Sequence, residues 1–189
     1  MALNGGLAYS AGNVFGISVD RMETLYRFEN GILTLTPRED DAPKRIWGQV
    51  DLNRPEADDA WSLAFVATDT QLSDVESLRR FYTYIRSVVP IAGTITGVLS
   101  NPSLKANFYS DSLNINGEIS TPTSGWVSIK DGKLDYMLTD GDGSVVVEGR
   151  AHLDGIDLRS SEAFIPEVET HFTLAEADAA LFFNAIPLR

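Results

Sequence analysis

Residues 73–108 read SDVESLRRFYTYIRSVVPIAGTITGVLSNPSLKANF and combine a helical pattern with two strand patterns. Ser73, followed three residues later by Glu76, forms a capping box, which is typical of a helix start. Apolar residues then recur at steps of three and four as far as Val89, which places them on one helix face. The pattern stops at Pro90, because proline cannot continue a helix. The first half of the stretch therefore predicts a helix that begins at Ser73 and ends before Pro90.

The second half of the same stretch changes to a period of two, which indicates β-strands. Ile95, Gly97 and Leu99 alternate with polar residues, and the alternation resumes from Leu104 to Phe108 after an Asn-Pro turn signal. These two runs predict neighbouring strands, each with one apolar and one polar side.

Alternating patterns of this kind fill most of the remaining chain and are separated by turn residues. Asn30-Gly31 and Asp131-Gly132 are strong hairpin signals, and the sequence DGDG at 140–143 predicts another turn. Residues 20–28 fit either one or two helical turns or a strand. The sequence as a whole predicts about a dozen strands of roughly five to eight residues. Because most connections are short, the sheet should be mainly antiparallel.

The apolar side of such a sheet must be covered, and the predicted helix is too small to cover it. A helix of about 16 residues is roughly 24 Å long, whereas twelve strands spaced about 4.8 Å apart span nearly 58 Å. Two solutions remain open: a β-sandwich or flattened barrel that covers itself, or a curled groove that meets something apolar from outside. Five glycines inside strand patterns would favour bends or bulges: Gly48, Gly93, Gly97, Gly117 and Gly149.

The helix, the proline and the following GTITGVLSNPSLKA at 93–106 resemble a repeat of the TamB family, within the AsmA-like superfamily. The resemblance implies a mainly β fold: an elongated, curled, antiparallel-rich sheet that forms an apolar groove (a β-taco) with one or two short helices. It also implies a periplasmic, cell-envelope location, with the full-length chain anchored to the inner membrane. The implied function is non-enzymatic lipid transport between the two membranes, with phospholipid acyl chains in the groove. The implied partners are those lipids, neighbouring repeats and an outer-membrane TamA/BamA-like protein.

A second helix-then-proline pattern suggests an internal repeat. Residues 175–186 (AEADAALFFNAI) precede Pro187, which lies 97 residues after Pro90 (187 − 90 = 97). We therefore interpret 1–189 as a single β-groove segment of a longer repeat protein. Residues 1–72 would end one repeat, 73–174 would be the helix and strands of the next, and 175–189 would begin another.

The candidate groove and lipid-binding residues share the alternating apolar positions of the strands. They are Leu63, Phe65, Ile95, Leu99, Leu104, Phe108, Leu113, Ile115, Ile119, Leu134, Tyr136, Leu138, Val145 and Val147. The alternative to lipid transport is a chaperone-like scaffold for unfolded outer-membrane β-proteins, which would add a client strand to an open sheet edge. A closed β-domain without a ligand is a third reading.

Charge and motif content exclude several other classes. With 27 acidic and 15 basic residues the formal net charge is −12, which argues against nucleic acid and against docking on anionic lipid headgroups. There are no cysteines, so disulfides and thiolate metal sites are excluded. His152 and His171, the only histidines, lack metal-site spacing. The DGDG segment lacks the rest of a calcium loop. We expect no catalytic residues, no cofactor and no metal.

Overall fold

A computed structural model of the protein describes most of the chain up to Leu174. The described residues are 2–14, 17–71, 85–86, 88–112, 114–115, 118–119, 122–141, 143, 145–152 and 168–174.

Fourteen strands run through these residues, and eleven of them form one large sheet. The strands are β1 (Ala2–Val14), β2 (Ile17–Glu29), β3 (Ile32–Pro37), β4 (Lys44–Asp51), β5 (Trp61–Gln71), β6 (Ile85–Arg86), β7 (Val88–Val98), β8 (Asn101–Ser110), β9 (Asn114–Ile115), β10 (Glu118–Ile119), β11 (Thr123–Lys130), β12 (Lys133–Asp140), β13 (Val145–His152) and β14 (Val168–Leu174). The large sheet has the order β1-β2-β3-β4-β5-β7-β8-β11-β12-β13-β14, and a small second sheet has the order β10-β9-β6.

The large sheet is an antiparallel meander, as the short connections predicted. Each strand pairs antiparallel with the next one in the order, from β1–β2 to β13–β14. In the described residues β1 pairs only with β2 and β14 only with β13, so the sheet is not closed into a barrel. A second sheet of comparable size, which a sandwich needs, is absent from the described residues, where the other sheet has strands of two residues each.

Both strong hairpin signals are confirmed as turns. The φ angles are 51° and 75° at Asn30 and Gly31, and 52° and 68° at Asp131 and Gly132. Positive φ at both central residues is typical of the type I′ hairpin turn, which suits the twist of the flanking strands. Residues 20–28, which fitted helix or strand, lie in β2, where they pair with β1 and, from Thr24 onwards, also with β3. Pairing on both sides therefore decides in favour of the strand.

The prediction of a helix up to Pro90 is wrong at its C-terminal end. Ile85–Arg86 forms β6, and Val88 begins β7, so these residues are extended. Pro90 lies inside β7, where the register with β5 is interrupted by an irregularity. A bulge leaves a residue without a ladder partner, so a proline without an N–H fits there. Residues 72–84 and 175–189, which hold the rest of the two predicted helices, lie outside the described residues.

Strand register places one residue of each large-sheet strand in a single row across the sheet. The row is Gly5, Tyr26, Leu35, Gly48, Leu63, Ile95, Leu104, Ile129, Leu134, Ala151 and Val168. Residues that pair directly, and those two positions away along a strand, lie on the same side of a sheet. We call the side that carries this row the apolar face and the opposite side the polar face.

Three apolar residues that are buried in the large sheet lie on the apolar face. Val50, Leu63 and Ala106 retain 4–5% of their exposure, and all three occupy its register positions. Thr24 and Ser110 on the same face are equally buried. The described core is therefore a thin layer on one side of the sheet.

Hydrogen bonds join the loops at one end of the strands. Trp61 Nε1 donates to the Leu99 carbonyl over 3.1 Å, and the Leu99 N–H donates to the Pro55 carbonyl over 2.7 Å. Asn53 Nδ2 donates to the Asn30 carbonyl over 2.6 Å. The β4–β5 loop is thus tied to the turns on both sides of it, which fixes the relative position of the hairpins.

Candidate functional site

Ten of the fourteen candidate groove residues lie together on the apolar face. They are Leu63, Phe65, Ile95, Leu104, Phe108, Leu134, Tyr136, Leu138, Val145 and Val147. Leu63, Ile95, Leu104 and Leu134 all belong to the row that crosses the sheet. The alternation in each strand, together with the pairing between strands, therefore brings these residues onto one continuous surface.

The other four candidates do not lie in the strands of the large sheet. Leu99 was expected in a strand, but β7 ends at Val98 and Leu99 occupies the turn before β8. Ile115 and Ile119 lie in β9 and β10 of the small sheet. Leu113 lies outside the described residues. Leu99 is held by two hydrogen bonds: its carbonyl accepts from Trp61 Nε1, and its N–H donates to the Pro55 carbonyl. Both partners are distant in sequence, so a local pattern cannot reveal them.

Side chains of the apolar face are half-buried rather than sealed. Leu63 is buried at 5% exposure, but Phe65, Leu104, Phe108 and Tyr136 all keep intermediate exposure. The face becomes more exposed towards β1, where Leu3 and Leu7 keep 57% and 54% of their surface. A fully packed interior would bury such side chains almost completely. The described part of this face can therefore still receive apolar atoms.

Four aromatic rings lie against glycines of the neighbouring strand on this face. The directly opposed pairs are Tyr26 with Gly5, Phe65 with Gly93, Phe108 with Gly125, and Tyr136 with Gly149. A Cβ on any of these glycines would overlap the ring opposite it. Because the glycines have no side chain, the rings lie close to the sheet surface, an arrangement known from designed sheets as aromatic rescue.

Two different backbone or packing roles are found among the glycines that were predicted to mark bends or bulges. Gly48 and Gly97 have φ of 125° and 117° within strands, a conformation that favours glycine. Gly93 and Gly149 instead provide space for an aromatic ring. Gly117 lies outside the described residues. The glycine–aromatic pairs were missed because their partners are 13–28 residues apart, and only the strand register brings them together.

Sequence reasoning also missed apolar-face residues that complete the surface. Ile91 and Ile129 lie directly opposite named candidates, and Leu35 continues the same row on β3. A signal was present for each, since all three belong to alternating apolar runs. With them, apolar side chains continue from β3 to β12 with glycines as the main interruptions.

The polar face carries most of the charges and two shallow depressions. Arg150 Nε contacts Asp135 Oδ1 at 2.6 Å, and Arg27 pairs with Glu29. Both pairs are solvent-exposed, so each contributes little to stability. One depression of about 690 Å³ lies over β3 and β4 near Trp47. The other, of about 700 Å³, lies over β8 and β11–β14 near Trp126.

The β4–β5 loop contains the clearest electrostatic cluster. Arg54 Nε donates to Asp51 Oδ2 over 2.8 Å, and Arg54 also lies 3.6 Å from Asp59. The hydrogen bonds from Arg54 and from the Asn53 backbone lower the pKa of Asp51 below its ordinary value. The hydrogen bond to Asp51 and the negative charge of Asp59 raise the pKa of Arg54. Asp51 is the last residue of β4 and Arg54 is an exposed residue of the loop, so this cluster shapes the start of the loop and does not resemble a catalytic pair.

The described residues contain neither a cluster suited to a metal ion nor a helix suited to a membrane. The described part of the chain contains no group of three or more His, Asp or Glu side chains that could hold a metal ion. Within that part, no helix has the length and apolar character needed to cross a membrane. His152 pairs with Lys133, and His171 pairs with Glu148, both on the polar face.

No family model matches the chain, and comparison with curated proteins and with solved structures finds no similar protein.

Proposed function

We propose that this chain is a non-enzymatic segment of a periplasmic bridge whose apolar face binds phospholipid acyl chains. The lipids would pass along it between the inner and outer membranes. The observation that carries the proposal is the single row of register positions that crosses all eleven strands and contains no charged residue, only aliphatic residues, two glycines and Tyr26. A surface of this kind binds by removing CH₂ groups from water, which contributes about 0.8 kcal/mol for each group.

The dimensions suit movement of a lipid along the face. Ten spacings of about 4.8 Å make the sheet roughly 48 Å wide. One leaflet of a bilayer has an apolar thickness of about 15 Å, half of the roughly 30 Å hydrocarbon core. An acyl chain would therefore cover only about three strands and would reach the next apolar position without entering water. The headgroup would remain in water beside the sheet.

The groove itself belongs to the same proposal. Curling of the sheet about the apolar face would shelter the acyl chain on two sides. The in-strand positive φ angles at Gly48 and Gly97 support local bending, because such residues commonly mark bends. The outer edges of β1 and β14, unpaired in the described residues, would accept neighbouring repeats that lengthen the groove. An inner-membrane anchor and an outer-membrane TamA/BamA-like partner rest on the sequence resemblance alone.

A matched pair of substitutions in β8 tests the proposal. Leu104→Asp places a carboxylate in the centre of the apolar row, whereas Asn107→Asp adds the same charge three residues away on the polar face. The purified variants are incubated with vesicles of phosphatidylethanolamine and phosphatidylglycerol, and bound lipid is measured by mass spectrometry. We expect Leu104→Asp to bind about tenfold less lipid than the wild type, or less still, since burying a charge is strongly unfavourable. Asn107→Asp should bind as much lipid as the wild type.

Circular dichroism shows whether both variants keep the sheet. Folded variants that bind equal amounts of lipid, or that lose lipid equally, would show that the apolar face is not the binding surface.

The second candidate function is a scaffold for unfolded β-proteins, and the length of the edge strand favours it. β1 has 13 residues and pairs on one side only among the described residues. Such an edge can add a client strand by backbone hydrogen bonds. The test is competition between lipid and an extended peptide from an outer-membrane β-strand. If the peptide displaces the lipid, the peptide and the lipid share the apolar face. A peptide bound without displacing lipid, and weakened by a proline in β1, would favour the scaffold.

A further inference from the structure

Arg45 is the one arginine with a described side chain that lacks a carboxylate partner. The other four, Arg27, Arg38, Arg54 and Arg150, each form an ion pair. The chain has 27 acidic residues, so acidic partners are abundant. The isolation of Arg45 is therefore a specific feature of its surroundings.

The Nε atom of Arg45 is buried and has no hydrogen-bond partner. A buried donor without a partner is unfavourable, and a charged donor more so. Such groups are rare in folded proteins and call for an explanation, of which an unfilled ligand position is one. Arg45 lies in β4 opposite Val66 of β5, and an apolar neighbour cannot satisfy it.

Arg45 is one of the residues that border the depression of about 690 Å³ on the polar face. That volume lies within the range of about 300–1,000 Å³ that is usual for small-molecule sites. The depression therefore has room for a compact organic molecule beside Arg45.

Side chains around Arg45 provide further donors and an aromatic surface. Thr34, Gln49 and Ser62 are neighbours in register on three adjacent strands and border the same depression. Trp47, two residues from Arg45 on the same side of β4, keeps 39% of its surface. It lies opposite Ala64, whose small side chain leaves space next to the indole.

We propose that this depression binds a small organic oxyanion. Its carboxylate or phosphate group would accept hydrogen bonds from Arg45, and its flat apolar body would lie against Trp47. The guanidinium fork matches both oxyanions, and the hydroxyl and amide groups of Thr34, Gln49 and Ser62 supply the remaining donors. The site is on the opposite face from the acyl-chain surface and does not depend on it.

Asp40 limits the charge of the ligand. Its carboxylate also borders the depression, and it is exposed and forms no ion pair with Arg45 among the described residues. Because like charges repel, the negative charge of Asp40 lowers the affinity for an anion bound at Arg45. A ligand with one or two negative charges fits this arrangement, whereas a polyanion does not.

Calorimetric titration with benzoate, phenyl phosphate and the neutral analogue benzyl alcohol tests the site. We expect saturable binding of at least one of the two anions, and the tighter of them identifies the oxyanion class. Arg45→Gln should weaken binding on the order of tenfold or more, as loss of a charge-assisted hydrogen bond does. Arg27→Gln, an equal loss of charge on the same face outside the depression, should bind as the wild type does.

A second variant, Asp40→Asn, tests the site without changing Arg45, so its result does not depend on whether Arg45→Gln folds. It changes an exposed residue and should tighten anion binding severalfold, since it removes the nearby negative charge. Absence of saturable binding by both anions would overturn the proposal. Equal affinity for benzyl alcohol, or an equal loss in Arg45→Gln and Arg27→Gln, would also overturn it.

Discussion

The pairing of Tyr136 with Gly149 predicts that Gly149→Ala destabilises the protein when the Tyr136 ring is present and stabilises it when the ring is removed. All three atoms nearest to a Cβ on Gly149 belong to the ring of Tyr136. Gly149→Ala therefore forces the ring to leave the sheet surface. Gly6, Gly141 and Gly143 have no ring opposite them. The effect is therefore specific to glycines that lie under a ring and is not a property of glycine in general.

The magnitude follows from two opposing terms. A tyrosine buries about 150–250 Å², and lifting the ring would expose roughly a third of it, about 60 Å². At about 25 cal/mol for each Å² this costs about 1.5 kcal/mol, and an unfavourable rotamer adds about 1 kcal/mol. Replacing glycine by alanine within a strand by itself raises the free energy of unfolding by about 0.5–1 kcal/mol. Gly149→Ala should therefore lower the free energy of unfolding by about 1.5–2 kcal/mol.

The same substitution should be favourable when the ring is absent. In a Tyr136→Leu background, Gly149→Ala should raise the free energy of unfolding by about 0.5 kcal/mol, since only the strand preference remains. Urea denaturation of the four proteins in this double-mutant cycle gives a coupling of about 2 kcal/mol. Gly6→Ala is the control, because its Cβ would meet only Leu25 at 3.9 Å. An unchanged effect of Gly149→Ala in both backgrounds would refute the ring-on-glycine interpretation.

Three further predictions concern β4 and the loop that follows it. Gly48→Ala should lower the free energy of unfolding by about 2 kcal/mol or more, because φ is 125° there and a Cβ would overlap the Ser62 carbonyl; urea denaturation measures it, and a neutral effect would contradict the strained conformation. The pKa of Asp51, measured by carboxyl NMR, should lie below 3.8 and return towards 3.8 in Arg54→Gln; because the folded pKa is lowered, this contribution to stability is present above pH 3.8 and is lost as the pH falls through the folded value. Arg45→Met should raise the free energy of unfolding by about 1 kcal/mol, since it removes a buried donor without a partner; a loss of stability would mean that the guanidinium is satisfied in solution.

The repeat boundaries and the lipid-binding role of the named residues remain predictions. The large sheet continues through β5 and β7, on either side of the predicted boundary between residues 72 and 73. Structural continuity across that point is compatible with stacked repeats, because such units share a continuous sheet or core with their neighbours.

Local sequence patterns were sufficient to predict the class of the fold and one face of the sheet. Alternation with a period of two is a property of each strand alone, so Leu104 and Leu134 could be assigned to the same side before any pairing was known. The turn at Asn30-Gly31 was equally predictable, because its positive φ angles depend on the two residues themselves.

The tertiary structure decided every feature that depends on contact between distant segments. Pro90 stays within a strand because β5 pairs around it with an irregular register, and Leu99 leaves the strand because Trp61 and Pro55 hold it in a turn. The ring of Tyr136 lies on Gly149 only because β12 and β13 pair in one register. Periodicity shows which side of a strand a residue occupies, but the residue that it meets is set by backbone hydrogen bonds between strands, and those have no local signature.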